Sequence, residues 1–197
     1  MTIKKIAASA LLAGATATFG INVGAQTATG AVIAPAAATP VAAGHPSAPM
    51  AGVQWRGQGT LRFWGMAIYE AHLWVSPGFA PQDYAALPLA LELTYQRRFT
   101  AQAIAQRSIE EMRRVGDFSA EQGTRWQQAL QDALPNVQAG DKLMGLYRPG
   151  VGALFQLQGR TVGEVADPEF ARLFFGIWLS PKTSEPRLRH SLIAATP

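Results

Sequence analysis

The sequence predicts an α+β fold in which a long antiparallel sheet is covered on one face by helices. Segments with the alternation of strands and segments with helix caps follow one another in the order strands, helices, strands, helices. The 197 residues are 48% hydrophobic and contain no cysteine, so a single apolar core has to stabilise the fold without disulfides. The lack of cysteine also excludes a thiol nucleophile and a Cys-ligated metal.

The N-terminal residues predict an exported protein. Lys4 and Lys5 precede an apolar stretch that ends in small residues around Ala25, the pattern of a secretory signal peptide over residues 1–25. A membrane anchor is the alternative, but glycines and threonines interrupt the stretch, so we expect no stable span after cleavage. The expected location is the periplasm or the exterior of the cell.

The next segment, residues 26–50, has no Asp, Glu, Lys or Arg and is rich in Ala, Pro, Thr and Gly. This composition cannot build a core and predicts a disordered tether. From Trp55 onward the chain holds nearly all of its aromatic residues, so a single folded domain is expected at 51–195.

The basic charge of the chain does not indicate a nucleic-acid partner. Loss of Lys4 and Lys5, with no acid in the same segment, lowers the formal charge from +4 to +2. No run of Lys and Arg is longer than two residues, so no nucleic-acid partner is expected.

Three segments predict the first strands of the sheet. Residues 53–63 and 65–75 are rich in β-branched and aromatic residues, and glycines at 57 and 59 indicate a bend or bulge in the first. In the second, Tyr69 shares a face with Ala67, Ala71, Leu73 and Val75. Residues 87–97 alternate strongly, which predicts a half-buried strand.

Capping residues predict the helices that follow. Thr100 is expected to cap a helix at 101–115, and Ser119 opens a second helix with a capping box. A hairpin at 141–157 and a short strand at 162–165 come next. Asp167 precedes a helix at 169–179, and Ser184 is expected to cap the last helix.

Known catalytic and metal-binding patterns are missing from the sequence. His45, His72 and His190 are scattered, with no acidic cluster beside them, so no metal site or cofactor is expected. There is no nucleophile elbow, P-loop or dinucleotide fingerprint. The Glu110–Glu111 pair, beside two arginines, is expected on a solvated, salt-bridged helix face.

A few polar residues stand on otherwise apolar faces. Tyr95 and Arg97 continue the leucine face of their predicted strand, and Arg62 lies among Leu61 and aromatic residues. Each arginine is expected either to bind a ligand carboxylate or to reach solvent at a strand end. Ser108 lies on the apolar stripe of its helix, where it either bonds to a backbone carbonyl or touches a ligand.

Together these segments resemble the chalcone isomerase-like proteins of bacteria. The resemblance covers residues 52–193, and the segments that carry it are GQGTLRFWGMAIYEAHLW at 57–74, LELTYQRR at 91–98, SIEEMRRVG at 108–116, NVQAGD at 136–141 and FFGIWLSPKTS at 174–184. It implies an open-faced β-sandwich with a ligand cleft between sheet and helices. The superfamily contains plant enzymes that cyclise chalcones and non-catalytic relatives that bind fatty acids through an Arg and a Tyr.

The chain departs from the enzymes at their catalytic positions. The enzymes carry a Tyr at the start of the helix and an Asn about two turns on, whereas this chain has Thr100 and Arg107 there. The resemblance therefore implies binding of a fatty-acid-like or other amphipathic carboxylate without catalysis. The residues expected to line the site are Arg62, Tyr69, Tyr95, Arg97, Arg107 and Ser108.

Two alternatives remain open at the level of sequence. One is an isomerase of the chalcone isomerase type, acting on a phenolic ligand. The other is a structural partner in a cell-envelope complex, in which the tether gives the domain reach.

Overall fold

The computed structural model describes residues 47–194. Its six strands are β1 (Gln54–Phe63), β2 (Met66–Val75), β3 (Leu89–Tyr95), β4 (Lys142–Arg148), β5 (Gly152–Leu157) and β6 (Arg160–Val165). Its four α-helices are α1 (Ala101–Val115), α2 (Ala120–Ala133), α3 (Pro168–Leu179) and α4 (Pro186–Ile193). A short 3₁₀ turn at Pro81–Asp83 lies between β2 and β3.

The strands form one antiparallel sheet in the order β1-β2-β3-β4-β5-β6. Every strand therefore pairs with its neighbours in sequence, although α1 and α2 are inserted between β3 and β4. Helix α4 packs on β1 and β2, α3 on β4 and β5, and α2 on β6. The predicted α+β class, with an open antiparallel sheet and helices, is confirmed.

The alternation along the strands separates two apolar clusters. The large cluster contains the side chains of β2 and β3 that include Leu73 and Leu91, together with buried residues of all four helices. The small cluster, on the opposite face of the sheet, contains Val53, Trp74 and Met144 among others. Because one face is covered and the other is mostly open, the sheet has a preferred register and a defined inside.

The helices begin at the capping residues that the sequence predicts, with one exception. Thr100 accepts a hydrogen bond from the Ala103 amide, and Ser119 forms a complete capping box with Gln122. Asp167 Oδ1 accepts from two amides of α3, while its Oδ2 accepts from Trp126 Nε1 at 2.8 Å. The prediction for the last helix is wrong, because its N-cap is Glu185, without a side-chain cap, and not Ser184.

The bend predicted at Gly57 and Gly59 is a shift in the β1–β2 register between Trp55 and Gly57. A Cβ at position 57 would lie 2.5 Å from the carbonyl oxygen of Ser191, in α4. Glycine therefore allows the backbone of α4 to lie directly on β1.

Strand β3 is shorter than the sequence predicts. It ends at Tyr95, and residues 96–97 form a bend instead of continuing the ladder. Arg97 therefore does not extend the apolar face of this strand, which corrects the sequence-based placement.

The predicted signal peptide and most of the predicted tether lie outside the described residues. Met50, at the C-terminal end of the tether segment, packs against the small apolar cluster. Within residues 47–194, none of the helices has the length and hydrophobicity needed to cross a bilayer.

Candidate functional site

Two tyrosines lie side by side on the helix-facing surface of the sheet. Tyr69 in β2 and Tyr95 in β3 are direct cross-strand partners, and their rings meet edge to face with centroids 5.9 Å apart. Tyr95 is only 4% exposed and packs on its other side against Phe99. The alternation of the two strands places both phenols toward the large core, and for Tyr95 this agrees with the leucine face predicted for its strand.

The two hydroxyl groups differ in their partners. Trp178 of α3 donates its indole N–H to the Tyr69 hydroxyl at 2.9 Å. Within residues 47–194, the Tyr95 hydroxyl has no hydrogen-bond partner. Burial raises the pKa of Tyr95, and it also raises the pKa of Tyr69 against the lowering effect of the Trp178 hydrogen bond. Both groups are therefore neutral at physiological pH and can donate hydrogen bonds.

A small apolar cavity adjoins this pair through Trp178. Its volume is about 20 Å³, and its lining consists of Leu91, Leu93, Leu143, Gly145, Phe155, Phe174, Phe175 and Trp178. This volume holds roughly one water molecule. This cavity is too small for an acyl chain, which can enter it only if side chains or helices move apart.

Charged side chains of α1 lie near the tyrosine pair. Glu111 is 6% exposed, and its carboxylate pairs with Arg107 at 2.5 Å and Arg114 at 3.4 Å. The Arg107 contact is an ion pair without the alignment of a good hydrogen bond, because Glu111 Oε1 has no hydrogen-bond partner among the described residues. Burial is the largest cause of the raised pKa of Tyr69, and the Glu185 and Glu111 charges add to it.

The remaining predicted site residues are not all brought together. Ser108 is buried, and its hydroxyl donates to the Ile104 carbonyl at 2.8 Å, so it takes the backbone-bonded alternative. Arg62 and Arg97 are exposed, and each donates to a carbonyl of the β1–β2 hairpin, at Gly65 and Ala67 respectively. Of the two alternatives given by the sequence, Arg62 and Arg97 thus reach solvent in this conformation. That they bind a ligand carboxylate stays a prediction.

Two residues near the tyrosine pair were not predicted. Glu111 was expected on a solvated face, but it is buried while its neighbour Glu110 is exposed. Position 111 lies three residues after Ser108 and four before Val115, on the edge of the apolar stripe, which was the available signal. The sequence pattern indicates Trp178 only as part of an apolar helix. Its hydrogen bond to Tyr69 links residues 109 positions apart, and no local pattern predicts such a contact.

The opposite face of the sheet carries a separate polar cluster. His72 is 9% exposed and lies 3.5 Å from both Glu70 and Glu92, and Lys142 lies 3.6 Å from Glu92. A groove of about 440 Å³ passes over Glu92, Lys142 and Trp74. Glu92, which lines this groove, thus lies within ion-pair distance of both His72 and Lys142.

Comparison with known proteins decides the family. The sequence model of the family described as chalcone isomerase-like matches residues 51–194. The chain belongs to the chalcone isomerase-like family. Among curated protein sequences, none matches the chain.

A solved structure shows that the chalcone isomerase-like fold is shared beyond close relatives. A fatty-acid binding protein of Arabidopsis thaliana aligns with a TM-score of 0.59 over 76% of this chain and 90% of its own. The two sequences are only 11% identical. At this identity the likeness supports a common fold, and it does not carry over individual site residues.

Proposed function

We propose that this chalcone isomerase-like protein binds a fatty-acid-like carboxylate between its sheet and its helices, without catalysis. The fatty-acid binding protein with the same fold supports a ligand of this class. Phenolic ligands are a second, weaker candidate, since they also combine an apolar body with a polar end.

The observation that carries the proposal is the Tyr69–Tyr95 pair, in which Tyr95 is buried and Tyr69 is half-buried. A neutral hydroxyl in an apolar environment gains from an anionic acceptor, because hydrogen bonds to charged groups are stronger than neutral ones. The Tyr95 hydroxyl has no such acceptor among residues 47–194. A ligand carboxylate placed between the two phenols would supply it.

Arg107 is the cation best placed to complete the head-group site. Its guanidinium contacts Glu110 and Glu111 of the same helix, α1. Its positive charge acts to lower the pKa of Tyr69 in β2, against the larger effect of burial. A ligand carboxylate would replace one of these glutamate contacts, so that no buried charge is left unpaired. The acyl chain would then enlarge the cavity beside Trp178.

The pKa shifts of the two tyrosines do not favour isomerase chemistry at this pair. A phenolate would need a lowered pKa, whereas burial raises the pKa of both Tyr69 and Tyr95. Thr100, at the position of the enzymes' tyrosine, is used as the N-cap of α1.

Thermal unfolding with added ligands tests the proposal. Decanoate, palmitate and oleate are compared with the corresponding alcohols, and the chain isolated from its own cells is examined by native mass spectrometry for bound lipid. We expect the acids to raise Tm more than the alcohols, because binding to the folded state stabilises it. If no acid changes Tm and no lipid copurifies, the proposal is wrong. A loss of chalcone absorbance would instead support the isomerase.

We also propose that the chain is exported and cleaved after Ala25, as its N-terminal pattern predicts. Cell fractionation with N-terminal sequencing of the purified protein checks this. A chain that keeps residues 1–25 in the membrane fraction would contradict it.

A further inference from the structure

The tip of the β1–β2 hairpin exposes large apolar side chains to solvent. Phe63 is 62%, Trp64 89% and Met66 46% exposed. The Phe63 and Trp64 rings stack with centroids 6.0 Å apart, and Phe63 and Met66 are cross-strand partners. Within residues 47–194, the only other exposed large apolar residues are Val151 and Val162. The hairpin tip is therefore an apolar patch at one end of the sheet.

The backbone of the tip gives no structural reason for a tryptophan. Trp64 and Gly65 have φ values of 50° and 78°, so both central residues of the turn are in the left-handed region. Two-residue hairpin turns of this kind favour Asn-Gly, whereas a bulky residue is disfavoured at the first position. Trp64 also makes no contact with the core, which leaves its presence to be explained by something that it binds.

Two arginines are bonded to the end of the hairpin. Arg62 donates to the Gly65 carbonyl and Arg97 to the Ala67 carbonyl, each at 3.3 Å, so two guanidinium groups are attached to the end of the hairpin. Arg98 follows directly and is exposed. Within residues 47–194, none of the three forms an ion pair with an acid.

We propose that this tip docks on an anionic lipid bilayer. Exposed aromatic side chains enter the headgroup region of a bilayer, and nearby arginines bind its anionic surface. The charge complementarity is local, because Arg62 and Arg97, which form no ion pair among residues 47–194, are bonded to the hairpin that carries the patch. Three exposed side chains at one turn suit a lipid surface more than a stable protein interface.

Docking would bring the bilayer to the end of the sheet that holds the tyrosine pair. Tyr69 lies opposite Leu61 in the β1–β2 ladder, next to the Arg62–Ala67 pair. If the protein binds fatty-acid-like ligands, as proposed above, docking would let it exchange them with the bilayer, and this role rests on the proposed function. Docking itself does not depend on that function. Vesicle binding is measured without added fatty acid, so the two proposals fail separately.

The test is binding of the full chain to vesicles of phosphatidylcholine with 30% phosphatidylglycerol, compared with pure phosphatidylcholine. The central variant is Trp64→Asn, which restores the favoured Asn-Gly turn, so we expect Tm to be equal or higher. We expect at least a tenfold lower partition coefficient for this variant. The matched control is Val151→Asn, at another hairpin turn, with an unchanged partition coefficient.

Two further measurements distinguish membrane binding by the hairpin tip from membrane binding by the N-terminal residues. The N-terminal residues are the same in all variants, so they cannot cause a difference between them. Brominated lipids are expected to quench tryptophan fluorescence in the wild type and not in Trp64→Asn, because the other four tryptophans are buried or half-buried. The double variant Arg97→Gln/Arg98→Gln is expected to bind several-fold more weakly and with less dependence on salt.

Three results would overturn the proposal. In the first, Trp64→Asn binds vesicles as strongly as the wild type does. In the second, the wild type binds neutral and anionic vesicles equally well. In the third, the chain self-associates with rising concentration, and Trp64→Asn abolishes this self-association but leaves vesicle binding unchanged. The last result would assign the tip to contacts between copies of the chain.

Discussion

At the scale of single residues, the two faces of the sheet treat polar groups differently. On the helix-facing side, burial raises the pKa of Tyr69 and of Tyr95, so both phenols stay protonated beyond the pH range in which an ordinary tyrosine does. On the open side, His72 lies between Glu70 and Glu92. The first arrangement leaves a donor for a ligand, while the second satisfies charges within the protein.

The histidine on the open face predicts a pH dependence of stability. Glu92 raises the pKa of His72 against the opposing effect of burial, and Glu70 adds to the rise. The His72 interaction lowers the pKa of Glu92, which burial opposes and Lys142 supports. The contribution of His72 is therefore fully present below its ordinary pKa and is lost as the pH rises through its raised pKa. The contribution of Glu92 is lost as the pH falls through its lowered pKa.

Urea unfolding between pH 5.5 and 8.5 measures this effect. The free energy of unfolding of the wild type is expected to fall toward the alkaline end of the range, and His72→Gln is expected to flatten that fall. A variant with the same slope as the wild type would show that His72 does not couple folding to protons.

At the scale of elements, the close packing of helices on the sheet depends on glycines as well as on apolar side chains. Helix α4 lies on β1 because Gly57 leaves room for the carbonyl groups of Ser191 and Leu192. Arg56 extends this contact by donating to the Ile193 carbonyl at 2.8 Å. The last helix is thus bound to the first strand of the sheet.

The substitution Gly57→Ala tests this packing. The added Cβ would lie 2.5 Å from one backbone oxygen and 2.7 Å from another, so α4 has to shift. We expect a loss of about 1–3 kcal/mol in the free energy of unfolding and faster proteolysis near α4. The control Gln58→Ala changes an exposed residue of the same strand and is expected to stay within about 0.5 kcal/mol of the wild type. Equal stability of the two variants would contradict the account.

The elements also show which parts of the fold were predictable. Helix α1 begins and ends where Thr100 and Gly116 predict, because caps act through neighbouring residues. The end of β3 lies two residues before the predicted one. Tyr95 is bonded to Asp141 and Gly140, and the Gln96 amide still donates to the Ile68 carbonyl of β2 before the chain bends. The contact with Asp141 and Gly140 is set by the distant turn before β4, and no local pattern near Arg97 encodes it.

At the scale of the whole molecule, the layers of sheet and helices follow from the alternation of apolar and polar residues along the strands. The candidate ligand site depends instead on contacts between residues that are distant in the sequence. Tyr95 lies in the large cluster, as the leucine face of its strand predicts, and Tyr69 packs against that cluster as a partly buried residue. The partners of this pair come from α3 and α1, and periodicity alone does not identify Trp178 or the buried Glu111. Sequence therefore predicted the apolar face on which Tyr95 lies, and it did not predict the partners of the pair.

The small size of the cavity makes ligand binding a property of the whole molecule. A site of about 20 Å³ accepts an acyl chain only if the helices separate from the sheet, at a cost that binding has to offset. Ligand binding is then expected to be slow compared with diffusion, and to protect α3 amides from hydrogen exchange once the ligand is bound.

The dissociation constant of Tyr95→Phe for palmitate, measured against wild type and Tyr147→Phe, tests the central claim most directly. Tyr147 is a buried tyrosine of the same core whose hydroxyl already donates to the Ala85 carbonyl at 3.0 Å, so it controls for general loss of stability. Because hydrogen bonds to a charged group contribute about 1.5–3 kcal/mol, Tyr95→Phe is expected to weaken binding about 10- to 100-fold, and Tyr147→Phe is expected to lower Tm with little change in affinity. Equal affinity of Tyr95→Phe and wild type would contradict the assignment of the head group to the tyrosine pair.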